Sequence, residues 1–183
     1  MATTGTIYDE TVKFGPAKLL VAATISSPVA FVSFPTIVGD SIEACGAFHF
    51  DILVTPATLG SYLCAQTTDN NGVAWTPIYY QVLGYAMQQG GNDALTYANT
   101  AQMQVSHGCH SSVAIEFLMF IKRGGGFQGH LSWQSSCYTG GTYGLGSLYG
   151  SGGYAGITGV RFNFSSGNIA SGRIRAYGTR TGA

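Results

Sequence analysis

A chain of 183 residues with eight basic and eight acidic side chains carries no formal net charge, which removes the long-range positive field that non-specific nucleic-acid binding and attachment to anionic membranes depend on. Only 9% of the residues are charged, 45% are hydrophobic and 27 are glycine, against about 25% charged in an ordinary domain; such a surface favours a chain covered by other chains over a freely diffusing enzyme. The length suits one domain, expected over 18–183 behind an N-terminal arm or assembly contact over 1–17.

The arm carries Asp9 and Glu10 where a secretory signal needs positive charge, and it lacks the apolar core of one. No apolar stretch approaches the roughly 20 residues of a spanning helix, so neither Sec export nor membrane insertion is expected. Short apolar alternation bounded by Gly, Pro, Ser, Thr and Asn then recurs along the chain, the period of strands joined by turns. Lys18 to Ile25 and Val29 to Phe34 come first. Phe48, Phe50, Ile52 and Val54 share one face of the next strand, His49 and Asp51 share the other, and the strand stops at Pro56. Ser61 to Ala65, Pro77 to Ala86 and Leu95 to Val105 follow. Ala57 to Tyr62 and Ala94 to Ala101 are the only helix candidates, and neither has a sustained apolar stripe. Val113, Ile115, Phe117, Met119 and Ile121 alternate with a face that is itself apolar at Leu118 and Phe120, so this strand reads as central or covered on both sides. Gly124-Gly125-Gly126 reads as a hairpin tip leading into Gly129 to Cys137, and Gly140 to Gly156 as a loop rich in glycine and tyrosine. Val160, Phe162 and Phe164 alternate with Arg161 and Asn163, and a turn at Ser165 to Asn168 leads into Ile169 to Tyr177, the pattern of a terminal hairpin. With about eight to ten strands, the expected fold class is all-β: an antiparallel two-sheet β-sandwich, jelly-roll-like in topology.

Chemistry-bearing residues are sparse. Asp51 and Glu116 are acids within convincing strands, the raw material of paired-carboxylate catalysis, yet nothing in the sequence places them together. His107-Gly108-Cys109-His110 has zinc-ligand residue types, but an extended backbone points His110 away from His107 and Cys109, and polar loop residues are the plainer reading. No GxSxG elbow or GxxxxGK[ST] loop is present, and Gly144 to Gly150 lacks the third glycine of a dinucleotide fingerprint. No catalytic residue, metal site or cofactor is expected. Cys45, Cys64, Cys109 and Cys137 fit neither a CxxC knuckle nor a disulfide miniprotein; they read as small buried hydrophobes, with one or two disulfides as the alternative. Tyr143, Tyr149 and Tyr154 offer contact area at small entropic cost, which makes them candidates for a subunit interface, with sugar stacking and plain loop packing as alternatives. Arg161, Arg173 and Arg175 fall on the polar face of the terminal hairpin, open to a neighbouring subunit or to solvent. Asp69-Asn70-Asn71-Gly72 is a turn sequence first, and with Trp75 a candidate glycan contact through Asp69, Asn70 and Trp75.

The run from Gly156 to Gly178, GITGVRFNFSSGNIASGRIRAYG, resembles the closing hairpin of a β-sandwich module found in structural proteins of tailed bacteriophages, whose pattern is an iTxiRF strand, an SSGNiasG connection and an IrlYG ending. Leu19 to Ala22, Val29 to Phe34 and the strand from Cys45 to Val54 follow the same module's early order; the Tyr- and Gly-rich segment before the hairpin departs from it. The resemblance implies a non-enzymatic virion component: a capsid decoration or head fibre, or a part of the neck, tail or tail fibre. It implies synthesis in the host bacterial cytoplasm, and a homo-trimer or larger symmetric assembly packed against other virion structural proteins. Disulfides would then brace the particle once it leaves the reducing cytoplasm. The alternative is a carbohydrate-binding, receptor-binding module on a virion fibre that takes a host-surface glycan.

Overall fold

The computed structural model describes residues 17–36, 47–68, 71–75, 79–88, 91–98, 102–122, 128–137, 140–149 and 159–179. Among them there is no helix. Twelve strands run in chain order: β1 (Lys18–Ile25), β2 (Val32–Phe34), β3 (Ala47–Pro56), β4 (Leu63–Thr68), β5 (Tyr79–Gln88), β6 (Gly91–Ala98), β7 (Met103–Gln104), β8 (Val113–Lys122), β9 (Gln128–Cys137), β10 (Gly140–Tyr149), β11 (Gly159–Phe164) and β12 (Ile169–Thr179). They form an eight-stranded sheet of order β1-β12-β3-β8-β9-β10-β5-β6 and a four-stranded sheet of order β2-β11-β4-β7. Every pairing is antiparallel.

The two sheets share one core. Phe48, Phe50, Ile52 and Val54 of β3 are buried together with Leu63 and Ala65 of β4, Val160, Phe162 and Phe164 of β11, and Ile174 of β12. The Phe50 ring meets Phe34 at 6.1 Å and Phe162, edge to face, at 5.4 Å. Each such buried ring contributes about 2 kcal/mol from desolvation alone. The core draws on β1, β12, β3, β8 and β9 on one side and on all four strands of the other sheet. The packed body is therefore a nine-stranded β-sandwich, and β10, β5 and β6 extend its larger sheet. Without β5, β6, β9 and β10, the first strand lies beside the last in one layer (β1-β12-β3-β8) and the second beside the second-last in the other (β2-β11-β4-β7). That is jelly-roll topology.

Several expectations change. The last two strands do not pair with each other: β11 lies between β2 and β4, whereas β12 lies between β1 and β3. Residues 165–168 are thus an arch from one sheet to the other, held where Ser165 N donates to Tyr62 O at 2.9 Å and Ala57 N donates to Asn168 O at 2.9 Å. Both strands have polar residues alternating with apolar ones, and that pattern is identical for two strands of one sheet and for two strands that face each other across a core. Half-buried alternation on both is what the arch needs. The segment Gly140–Tyr149, expected as loop, is a full strand, paired along its length with both β9 and β5. Two flanking ladders supply the backbone hydrogen bonds that override the low strand propensity of its glycines. The helix candidates fail as well: 57–62 is a turn ending in a bridge at Ser61, and 94–98 belongs to β6. β8 is central, between β3 and β9, but its outer face is open at Ala114, Glu116 and Leu118. The connection through Gly124 to Gly126 lies outside the described residues; β8 and β9 on either side of it are antiparallel neighbours registered to Lys122 and Gln128.

Candidate functional site

Strand alternation sorts the central strands of the large sheet into a core face and an outer face. The outer face carries His49, Asp51, Leu53 and Thr55 from β3, Ala114, Glu116 and Leu118 from β8, Ser132, Gln134 and Ser136 from β9, and Arg173, Arg175 and Tyr177 from β12. Register then fixes who stands beside whom. Arg175, Asp51, Glu116 and Gln134 form one row across four strands, and Arg173, Leu53, Ala114 and Ser136 form the next. The small side chains of Ala114 and Ser136 leave an open depression of about 400 Å³, walled by Asp51, Leu53, Glu116, Gln134 and Arg173. Below it Thr55 and Ser112 share a hydroxyl hydrogen bond of 2.8 Å, and above it His49 stacks on Tyr177 at 5.9 Å.

In a chain this poor in charge, the concentration is notable: of the five charged side chains described, four lie on this face. Sequence periodicity had no means of joining Asp51 to Glu116, yet the two are direct register partners. Like charges opposite each other destabilise a sheet. Arg175 offsets the pair from one side, its Nη1 reaching Asp51 Oδ2 at 4.0 Å with both side chains well exposed, a geometry worth well under about 1 kcal/mol. Glu116 and Arg173 have no ion-pair partner among the described residues. Both carboxylates sit on an open sheet face, without the enclosure that gives an acid pair its catalytic power. The arrangement suits contact with a complementary charged surface.

Arg161 is elsewhere. Because β11 and β12 belong to different sheets, it shares no face with Arg173 and Arg175, and the three do not form the single polar surface expected of a hairpin. Its guanidinium lies 5.1 Å from the Phe31 ring centroid and 4.9 Å from that of Trp75. Nε donates to Gln66 Oε1 at 2.9 Å, and Nη2 donates to the same oxygen. The stack pins the turn before Trp75 onto the small sheet. That turn is real: Asn71 and Gly72 take φ of 57° and 85°, and Thr68 Oγ1 accepts from Gly72 N and donates to Ala74 O. One face of the Trp75 ring is therefore covered by Arg161. Asp69 and Asn70, the other glycan-contact candidates, lie outside the described residues.

Cys64 and Cys109 are buried thiols, in keeping with their reading as small hydrophobes; burial pushes Cys64 from 9.0 up to about 12. Cys45 lies outside the described residues, and Cys137 is the last residue of β9. Cys109 closes one end of the sandwich, exchanging backbone hydrogen bonds of 2.8 Å with Gly60 and Ser61 while its Sγ donates to His107 O at 3.1 Å. The His107 to His110 segment is thus a loop clamp, with His110 exposed. Tyr143 and Tyr149 occupy β10, Tyr143 in register with Gln134 and Tyr85; Tyr154 lies outside the described residues. No family model, curated protein or solved structure matches this chain.

Proposed function

We propose that this chain is a non-enzymatic structural subunit of a tailed-phage particle, a capsid decoration, head fibre, or neck or tail component that works by packing against copies of itself and other virion proteins. The observation that carries the reading is the outer face of the large sheet, where exposed Leu53 and Leu118 stand beside a neutral set of two acids and two arginines. Apolar contact there contributes about 25 cal/mol per Å², and the charges fix partner and orientation more than affinity. A jelly-roll body gives such a face the rigidity that repeated contacts in a symmetric particle need. The resemblance of the 156–178 run supplies the tailed-phage setting.

The glycan-binding alternative is the weaker one here, because Arg161 covers one face of the Trp75 ring that would stack on a sugar. The test is sedimentation of the purified chain, alone and with assembled phage heads and tails. A symmetric oligomer, trimeric or larger, and co-sedimentation with particles are expected. A persistent monomer without affinity for either would overturn the reading.

A further inference from the structure

We propose that the outer face of the large sheet is a two-fold contact between two copies of this chain. The inference rests on the packing role argued above and names its surface and its occupant. Arg173 on β12 and Glu116 on β8 are separated by one intervening strand, β3, and by two residues along it. At about 4.8 Å per strand and about 3.4 Å per residue, their Cα atoms stand about 12 Å apart. The midpoint falls on β3 between Leu53 and Asp51.

Consider a two-fold axis parallel to the sheets, crossing above that midpoint at right angles to the line from Arg173 to Glu116. It lays Arg173 of each copy over Glu116 of the other. The same operation carries Arg175 to the neighbourhood of Asp51 of the second copy, so both positive positions meet both negative ones. Leu53, exposed on one copy, arrives over the Ala114 floor of the depression on the other. A knob thereby meets a hollow. Glu116, which has no ion-pair partner among the described residues of its own chain, receives Arg173 of the second copy, and Asp51, held by its own Arg175 at 4.0 Å, gains a second arginine. The self-complementarity that a two-fold contact requires is present in charge and in shape. The area suffices: the five strands β1, β12, β3, β8 and β9, about ten residues long, cover about 24 by 34 Å, and with the strands of the two copies crossing at about 70° the shared patch is about 600 Å² per copy, the lower end of a standard interface.

The experiment is light scattering and sedimentation on the full chain, as wild type, as R173E/R175E, as D51R/E116R, and as an equimolar mixture of the two variants, with circular dichroism to confirm folding. The wild type should contain an even number of copies and its dissociation constant should rise at least tenfold between low and high salt. Each variant alone should show half the wild-type mass, and the mixture should regain the full mass. A wild type with an odd number of copies, an unchanged variant mass, a mixture of folded variants that stays apart, or association insensitive to salt would overturn the proposal. Should the variants not fold, the wild-type copy number and salt dependence decide alone. A monomeric wild type that still binds particles would sink this contact and leave the virion role standing, its occupant then being another virion protein. An even-numbered wild type with no affinity for particles would do the reverse.

Discussion

Arg161 and Cys64 illustrate how single residues of the small sheet serve the fold. A guanidinium between two rings gains cation–π attraction of about 0.5–1 kcal/mol each when partly exposed, and its fork onto Gln66 Oε1 adds a charge-assisted pair. Arg161→Ala should therefore lose about 1–2 kcal/mol in urea unfolding and shift the emission of Trp75. Arg161→Lys, which keeps the charge but not the planar fork, should recover less than half. Unchanged stability in both variants would mean that the stack only decorates the surface. Cys64 gives a pH signature. Its folded pKa, about 12, lies above 9.0, so the folded state holds its proton while the unfolded thiol has lost it. Stability from this group is complete below pH 9 and falls by about 1.4 kcal/mol per pH unit as pH rises from 9 towards 12. The wild type should lose stability more steeply than Cys64→Ala across that window, and native Cys64 should resist alkylation at pH 8. Equal slopes, or rapid native alkylation, would contradict the burial assigned to it.

At the scale of elements, the arch between β11 and β12 depends on two glycines. Gly167 has φ of +72°, and a Cβ there would strike the Thr58 hydroxyl; Gly172 has φ of +135°, and a Cβ there would overlap the Leu53 carbonyl oxygen of β3. Gly172 follows the register shift between Ile169 and Ser171, where the incoming strand bends to join β3. An alanine at 172 combines a disfavoured backbone with a clash against main chain, so Gly172→Ala should cost at least about 3 kcal/mol or abolish folding. Gly167→Ala meets a side chain that can rotate, and should cost about 1–2 kcal/mol. Chevron or equilibrium denaturation reads both; the opposite ranking would displace the strain from strand to turn. These positions also mark what sequence can disclose. β1 is legible at Lys18 to Ile25 as a short apolar run bounded by turn residues, and β3 and β8 are legible from alternation. The arch is not, since Ser165 to Asn168 is equally good turn chemistry for a hairpin, and the difference lies in partners on distant strands. β10 is not, because its glycines speak against a strand until β5 and β9 are in place.

For the whole molecule, the candidate site follows the same rule. Asp51, Glu116, Arg173 and Arg175 are each visible as polar residues of apolar strands, but their assembly into two rows depends on registers between β12, β3, β8 and β9, which periodicity does not encode. Those registers also predict uneven stability. Four strands at about 4.8 Å cover about half the width of eight, and the core residues show which half: the side of β1, β12, β3, β8 and β9. β3 and β5 are equally well hydrogen-bonded, each with a ladder on both sides, so backbone pairing alone would protect their amides equally. The width of the four-stranded sheet reaches β3, whose Phe48, Phe50, Ile52 and Val54 are buried against it, and is used up before β5. Hydrogen exchange should then find the amides of β3, β11 and β12 opening only with global unfolding, and those of β5 and β6 exchanging on the order of a hundredfold faster through local opening. The measurement belongs on the R173E/R175E variant at low concentration, where association between copies cannot lend protection. Equal protection of β3 and β5 there would show that the three outer strands belong to the packed body, and that the sandwich is wider than its core residues indicate.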